Sequence, residues 1–187
     1  MRVITGSARG RRLKELEGME TRPTTDRVKE GLFSALQFEI EGRRVLDLFA
    51  GTGQLGIECL SRGAAWAVFV DRRPDAVKLV KENLKLTALQ DRARVVEGDA
   101  MAFLQSLKER FDIVLLDPPY DAGLLEPAIR CLTAFDILNP HGIIVAEHPA
   151  DRPPQAPEAP YRVRRTYRYG KIGLTLICRG KDQENEG

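Results

Sequence analysis

The feature that most limits the fold is a rhythm of short, continuously apolar runs separated by helical stretches. From residue 43 onward, strand-like segments fall at 44–49, 67–70, 93–97, 113–116 and 142–147. Helix-like segments fall between them at 55–62, 74–86, 101–110 and 124–135. A strand that is apolar on both sides needs cover on both sides, so these runs predict a parallel sheet with helices above and below it. After Pro149 the rhythm stops. "DRPPQAPEAP" is a proline-rich loop, and the strand-like segments 161–168 and 172–178 flank Tyr169, Gly170 and Lys171 as an antiparallel hairpin. Five strands from the alternation and two from the hairpin predict a mostly parallel seven-stranded sheet of the doubly wound α/β class.

Ahead of the alternation, residues 2–5 and 10–14 can pair as a hairpin across the turn between Gly6 and Gly10. From Thr25 to about Ile40 the spacing of Val28, Leu32, Ala35 and Leu36 predicts a helix, with Thr24 or Thr25 as its cap. No internal repeat or second domain is evident. The expected organisation is one domain over 1–187, with a hairpin-and-helix extension (1–40), a core (43–180) and a frayed polar tail (181–187).

Composition narrows the function. The chain has 187 residues, 43% hydrophobic and 30% charged, which suits one water-soluble core. No apolar run approaches transmembrane length, and "MRVITGSARGRRLK" lacks the apolar stretch of a signal peptide. Cys59, Cys131 and Cys178 are far apart, which suits reduced core residues in the cytoplasm and neither a disulfide framework nor a metal site. The net charge of +2 is unevenly spread. Residues 1–14 carry Arg2, Arg9, Arg11, Arg12 and Lys14 without an acid, and 161–181 carry seven cations, again without an acid. A basic surface is often only solvated, but two clusters flanking a catalytic-looking core point to a nucleic acid.

"VLDLFAGTGQLGIE" puts Asp47 at the end of the first parallel strand, followed by Gly51, Gly53 and Gly56 in the spacing G-x-G-x-x-G. Glycines allow a tight turn and close backbone approach to a ligand. Asp71, twenty residues after Gly51, ends the second strand, where a carboxylate can accept from ribose hydroxyls. This fingerprint fits a dinucleotide enzyme as well as a nucleoside-binding methyltransferase; a bare strand–helix turn is the plain alternative. Two features favour the methyltransferase. Asp47 suits the α-ammonium of S-adenosylmethionine, which has no pyrophosphate. Asp99 in "VEGDAM" can accept from an adenine amino group while Ala100 offers its N–H.

The fourth strand ends in "DIVLLDPPYDAG". Two prolines cannot continue a ladder. An exocyclic amino group on a base is a poor nucleophile because its lone pair is delocalised into the ring. Two acceptors on its hydrogens draw it towards tetrahedral geometry. Asp117 supplies a carboxylate, Pro118 a carbonyl held by the fixed φ angles of Pro118 and Pro119, and Tyr120 a ring to stack on the base. A carboxylate accepts only, which leans towards the adjacent N1–H and N2–H donors of guanine, although it can also serve adenine.

The glycine loop, Asp71, Asp99 and "DPPY" resemble the S-adenosylmethionine-dependent amino-methyltransferases of nucleic acids. "MRVITGSARGRRLKELEGMETRPTTDRVKEGLFSAL", "DLFAGTGQLGIECLSRGA" and "YRYGKIGLTL" narrow the match to the RsmD-type bacterial small-subunit ribosomal RNA guanine-N2 methyltransferases. The resemblance covers nearly the whole chain and implies a Rossmann-like class I methyltransferase fold. It also implies methylation of one guanine N2 in 16S rRNA, within an assembled or partly assembled particle, by a cytoplasmic monomer. The expected catalytic set is Asp117, Pro118, Pro119 and Tyr120. The expected cofactor set is Thr24, Asp47, Phe49, Ala50, Gly51, Thr52, Gly53, Asp71, Arg72, Asp99, Ala100 and Asp117. The expected RNA contacts are Arg9, Arg11, Arg12, Arg22, Arg165 and Arg168. No metal is expected. His141 reads as a turn residue, and His148 as structural ahead of a pocket role. A DNA adenine-N6 enzyme, a non-catalytic nucleic-acid binder and a nicotinamide dehydrogenase are the competing readings. The absence of a visible target-recognition or substrate domain argues against the first and last, and the intact Asp117–Tyr120 run against the second.

Overall fold

The structure, a computed structural model, describes residues 1–16 and 26–180. Its centre is a seven-stranded sheet built from β1 (Arg44–Asp47), β2 (Trp66–Asp71), β3 (Ala93–Glu97), β4 (Phe111–Leu116), β5 (Leu138–Pro149), β6 (Tyr161–Tyr169) and β7 (Ile172–Arg179). The spatial order is β3-β2-β1-β4-β5-β7-β6. Strands β1 to β5 are parallel, and β7 runs antiparallel to both β5 and β6. This is the Rossmann-like architecture that the alternation predicts.

Both faces are covered. Helices α1 (Asp26–Ala35), α2 (Gln54–Ser61) and α3 (Pro74–Thr87) contribute Leu32, Phe33, Ile57, Leu60, Val80 and Leu84 to one core. Helices α4 (Ala100–Ser106) and α5 (Leu125–Ala134) contribute Leu104, Ile129 and Leu132 to the other. The strand residues alternate between these cores as the pleat requires: Val45 and Ile113 face the first, Leu46 and Val114 the second.

Four elements differ from their expected extents. Helix α1 stops at Ala35, short of the expected end near Ile40, because the chain there tightens into turns in which the Gln37 N–H donates to the Ser34 carbonyl and the Glu39 N–H to the Leu36 carbonyl. Strand β5 begins four residues early, because the pairing of Phe111 with Leu138 skips to Ile113 with Ile143 and takes up Asn139, Pro140 and His141 as an irregularity. Helix α4 stops at Ser106, well short of Arg110. Glu109 instead pairs with Arg44 and, at 3.6 Å, with Arg94, which ties that segment to the sheet. The N-terminal hairpin keeps one bridge, Arg2 with Arg12, supported by backbone bonds from Val3 to Arg11 and from Leu13 to Met1, because the donors nearer its tip turn to α2. Ile4 and Thr5 each donate to the Glu58 carboxylate at 2.9 Å, and Ala8 donates to Ser61 Oγ at 3.0 Å. Glu58 is fully buried and also meets Arg62 at 3.0 Å and Lys29 at 3.3 Å. A buried carboxylate with this many donors is compensated for its lost hydration.

Candidate active site

In an open parallel sheet a ligand binds beyond the carboxyl ends of the strands, where the connectivity reverses. Here β1 lies between β2 and β4, so that point falls at Asp47. A cleft of about 870 Å³ opens there, a volume typical of small-ligand sites. Asp47 from β1, Asp71 from β2, Asp99 from the loop after β3 and Asp117 from the loop after β4 all line it. So do Phe49, Ala50, Gly51, Thr52, Arg72, Ala100, Pro118, Pro119 and Tyr120.

The glycine loop divides its work. Gly51 has a left-handed φ of 55° and faces the cleft with nothing within 4 Å of where a Cβ would stand. Gly53, the left-handed N-cap of α2, is buried behind the lining and packs against Val80. A Cβ on Gly56 would lie 2.4 Å from the Phe69 ring, so this glycine lets α2 close on β2. Asp71 is more than a cleft residue. It accepts from the Gly51 N–H at 2.9 Å and from the Arg73 N–H at 2.9 Å, which fixes the glycine loop to the end of β2. The Asn83 carboxamide braces the next residue, donating to the Thr52 carbonyl at 2.9 Å and to the Lys14 carbonyl at 3.1 Å.

Asp47 is 2% exposed and accepts from the Gly56 N–H at 3.0 Å. Burial pushes its carboxyl up to about 7, against the Gly56 hydrogen bond and with help from Asp71. A desolvated carboxyl at the floor of a cleft suits a cationic ligand group, whose charge restores what burial removes. Asp99 caps α4 by accepting from the Ala102 N–H at 2.9 Å, and Ala100 opens that helix, so its N–H has no intrahelical acceptor. A glycine cradle, a buried acid at one end, and an acid beside a helix-opening N–H at the other fit a nucleoside carrying an ammonium group. They fit a pyrophosphate poorly, because three carboxylates would face it.

At the opposite wall, Pro118 is buried, Pro119 is exposed, and Tyr120 opens a short turn, Tyr120–Ala122. The Tyr120 hydroxyl donates to Glu147 Oε1 at 2.9 Å. Glu147, on β5, is 2% exposed and was not singled out in the sequence. Its one sequence signal is an acid closing the apolar run "GIIVAE". His148 is also buried but turns elsewhere, contacting the Pro149 carbonyl at 2.8 Å and Thr175 Oγ1 at 2.9 Å; it does not line the cleft.

The cationic residues separate. Arg165 and Arg168 are exposed on the edge strand β6. Arg168 pairs with Gly173, itself opposite His148, so it stands at the cleft end of the sheet. Arg165 stacks on Tyr167 at 5.0 Å. Arg9, Arg11 and Arg12 are exposed on the N-terminal hairpin. Its tip rests on Ser61, at the far end of α2, whereas Gln54 at the near end lines the cleft. Arg9 is therefore about one helix length, roughly 10 Å, from the cleft level. Arg22 and Thr24 lie outside the described residues. Among the described residues no group of three His, Cys, Asp or Glu side chains can hold a metal ion, and no helix is long and apolar enough to cross a membrane.

Comparison with known proteins agrees with this architecture. The profile of the family described as conserved hypothetical protein 95 matches residues 1–178. The chain is 42% identical over 181 residues to YlbH of Bacillus subtilis, assigned as an rRNA methyltransferase, covering 94% of this chain and 97% of the relative. It is 36% identical over 187 residues to the ribosomal RNA small subunit methyltransferase D of Escherichia coli, covering 100% of this chain and 93% of the relative. The solved yhhF protein of Escherichia coli, assigned as a methyltransferase, superposes with a TM-score of 0.86 at 37% identity over 97% of this chain and 99% of its own. With the strand order, the glycine loop and the Asp117–Tyr120 wall in place, the chain belongs to the RsmD family of ribosomal RNA small subunit methyltransferases.

Proposed function

We propose that this protein transfers a methyl group from S-adenosylmethionine to the exocyclic N2 of a guanine in small-subunit ribosomal RNA. The observation that carries the reading is that Asp117, Pro118, Pro119 and Tyr120 line the same cleft as Asp47, Asp71 and Asp99. Bound in that cleft, S-adenosylmethionine supplies an electrophilic methyl group. The chain's residues do the rest. Asp47 faces the ammonium, Asp71 accepts from the ribose, and Asp99 with the Ala100 N–H holds the adenine edge. Phe49, Ala50, Gly51, Thr52 and Arg72 complete the lining, with Gly53 behind it.

Asp117 and the Pro118 carbonyl accept the two hydrogens of the target amino group and turn its lone pair towards the methyl. No histidine base is required, because the nitrogen becomes acidic as it is alkylated and releases its proton afterwards. Tyr120 stacks on the extruded base, an interaction worth roughly 1–3 kcal/mol, which offsets part of the unstacking cost. Arg9, Arg11, Arg12, Arg22, Arg165 and Arg168 hold phosphates of the RNA. The acceptor-only carboxylate of Asp117 favours guanine, and the relatives' name, ribosomal RNA small subunit methyltransferase, favours small-subunit RNA as the substrate class; the scheme takes that RNA in an assembled or partly assembled particle in the cytoplasm. The enzyme works as a monomer in this scheme.

The test is transfer of tritiated methyl from S-adenosylmethionine to small subunits, naked small-subunit RNA and duplex DNA in parallel. Label entering the RNA supports the proposal. Label entering only DNA replaces it with the adenine-N6 reading.

A further inference from the structure

We propose that Glu147 is a positioning residue that fixes the Tyr120 ring against the target base. The inference rests on the reading that Tyr120 stacks on that base. Pro118 and Pro119 restrict the backbone that leads into Tyr120, but they leave its χ1 and χ2 torsions free. Tyr120 itself is half-buried, in a turn whose next two residues, Asp121 and Ala122, are exposed. The far end of the ring is held by the hydrogen bond from its hydroxyl to Glu147 Oε1 at 2.9 Å.

Glu147 is well placed for this. It is 2% exposed and sits on β5, which is paired on one side with β4 and on the other with β7. Ala146 pairs with Leu116 and Glu147 with Leu174, so the carboxylate is set at the height where β4 gives way to Asp117. The aromatic wall of the cleft is thus tethered to two neighbouring strands, by its backbone to β4 and by its hydroxyl to β5. The hydroxyl proton is committed to Glu147, so Tyr120 offers the base its face and not a hydrogen-bond donor. A bond between a phenol and a carboxylate is among the stronger side-chain hydrogen bonds, and an aromatic platform held this way loses little freedom when the base arrives.

The experiment is a double-mutant cycle with Tyr120→Phe, which keeps the ring, and Glu147→Met, which keeps the volume and removes the acceptor. Each single variant should lower kcat for small-subunit RNA about tenfold, with the dissociation constant for S-adenosylhomocysteine unchanged to within about twofold. The double variant should be no worse than the worse single, and Glu147→Gln, which retains an acceptor, should recover much of the rate. Independent effects that multiply to about a hundredfold would overturn the proposal, as would a full-rate Tyr120→Phe enzyme. The latter is decisive even if Glu147→Met does not fold. A second measurement needs no RNA: the 13C-labelled Tyr120 ring resonances should shift and broaden in Glu147→Met and stay close to wild type in Glu147→Gln, and signals unchanged in a folded Glu147→Met protein would also overturn the anchor. Ring signals that respond while the wild-type protein methylates no RNA would support the anchor and defeat the substrate reading.

Discussion

Replacing Asp71 by alanine separates the account of the glycine loop from a simple ligand-contact model. A residue that only touches the cofactor can be removed without harm to the fold. Asp71 also accepts from the backbone N–H groups of Gly51 and Arg73, both at 2.9 Å, and the Ala side chain leaves both donors to water. Hydrogen bonds to a charged acceptor contribute about 1.5–3 kcal/mol each. The site is partly solvated, which discounts the sum, so a stability loss of about 2–4 kcal/mol is expected. The proposed ribose contact adds a separate cost in affinity of about tenfold to a hundredfold. Asp71→Asn keeps one acceptor oxygen and should fall between wild type and alanine in both measures. Urea denaturation with an unchanged m value reads the first quantity, and calorimetry with S-adenosylhomocysteine reads the second. Wild-type stability in Asp71→Ala would refute the bracing role. Wild-type affinity in a folded variant would refute the ribose role.

The buried Asp47 gives a pH signature. Its folded pKa of about 7 lies above the unfolded value, so the folded state holds a proton that the unfolded chain releases. Stability is therefore lost as pH rises from about 4 through about 7, by an amount of order 4 kcal/mol, and the Asp47→Asn protein should lack that component when urea midpoints are compared across pH. Identical pH profiles for the two proteins would contradict it. Asp117→Ala should abolish methyl transfer while calorimetry shows cofactor affinity nearly intact; parallel losses would place Asp117 on the methionine instead of the base. Reversing the charges of Arg11 and Arg12 together should weaken RNA binding and shrink the slope of log affinity against log salt, with cofactor affinity unchanged. The same affinity and slope would make the hairpin cations a solvated face.

Much of the fold was legible because parallel strands buried on both sides must be apolar throughout, and the runs at 67–70 and 113–116 carry no other explanation. Strand β5 was read too short for the same reason: its first residues include Asn139, Pro140 and His141, which look like a turn and are accommodated only by the irregular pairing with β4. The end of α4 was missed because Glu109 is drawn off by Arg44 and Arg94, which are distant in sequence. The acids of the site were legible for a geometric reason. Asp47 and Asp71 each close an apolar strand and Asp117 follows one, and strand ends of a parallel sheet meet at one edge. What could not be read was pairing through space: Asp71 to Gly51, Asn83 to Thr52, and Tyr120 to Glu147. The hairpin was foreseen, but its descent along α2, which carries Arg9 away from the cleft, depends on Glu58 and Ser61 acting as acceptors for its backbone.

The central claim is that the Asp117–Tyr120 wall presents a guanine amino group to the methyl donor. The most direct measurement is mass spectrometry of nucleosides from small-subunit RNA, isolated from a strain lacking this protein and then incubated with the purified protein and S-adenosylmethionine. The account predicts that N2-methylguanosine is absent at one site before incubation, is restored by the wild-type protein, and is not restored by Asp117→Ala. Methylation appearing as N6-methyladenosine, or N2-methylguanosine restored equally by Asp117→Ala, would contradict it.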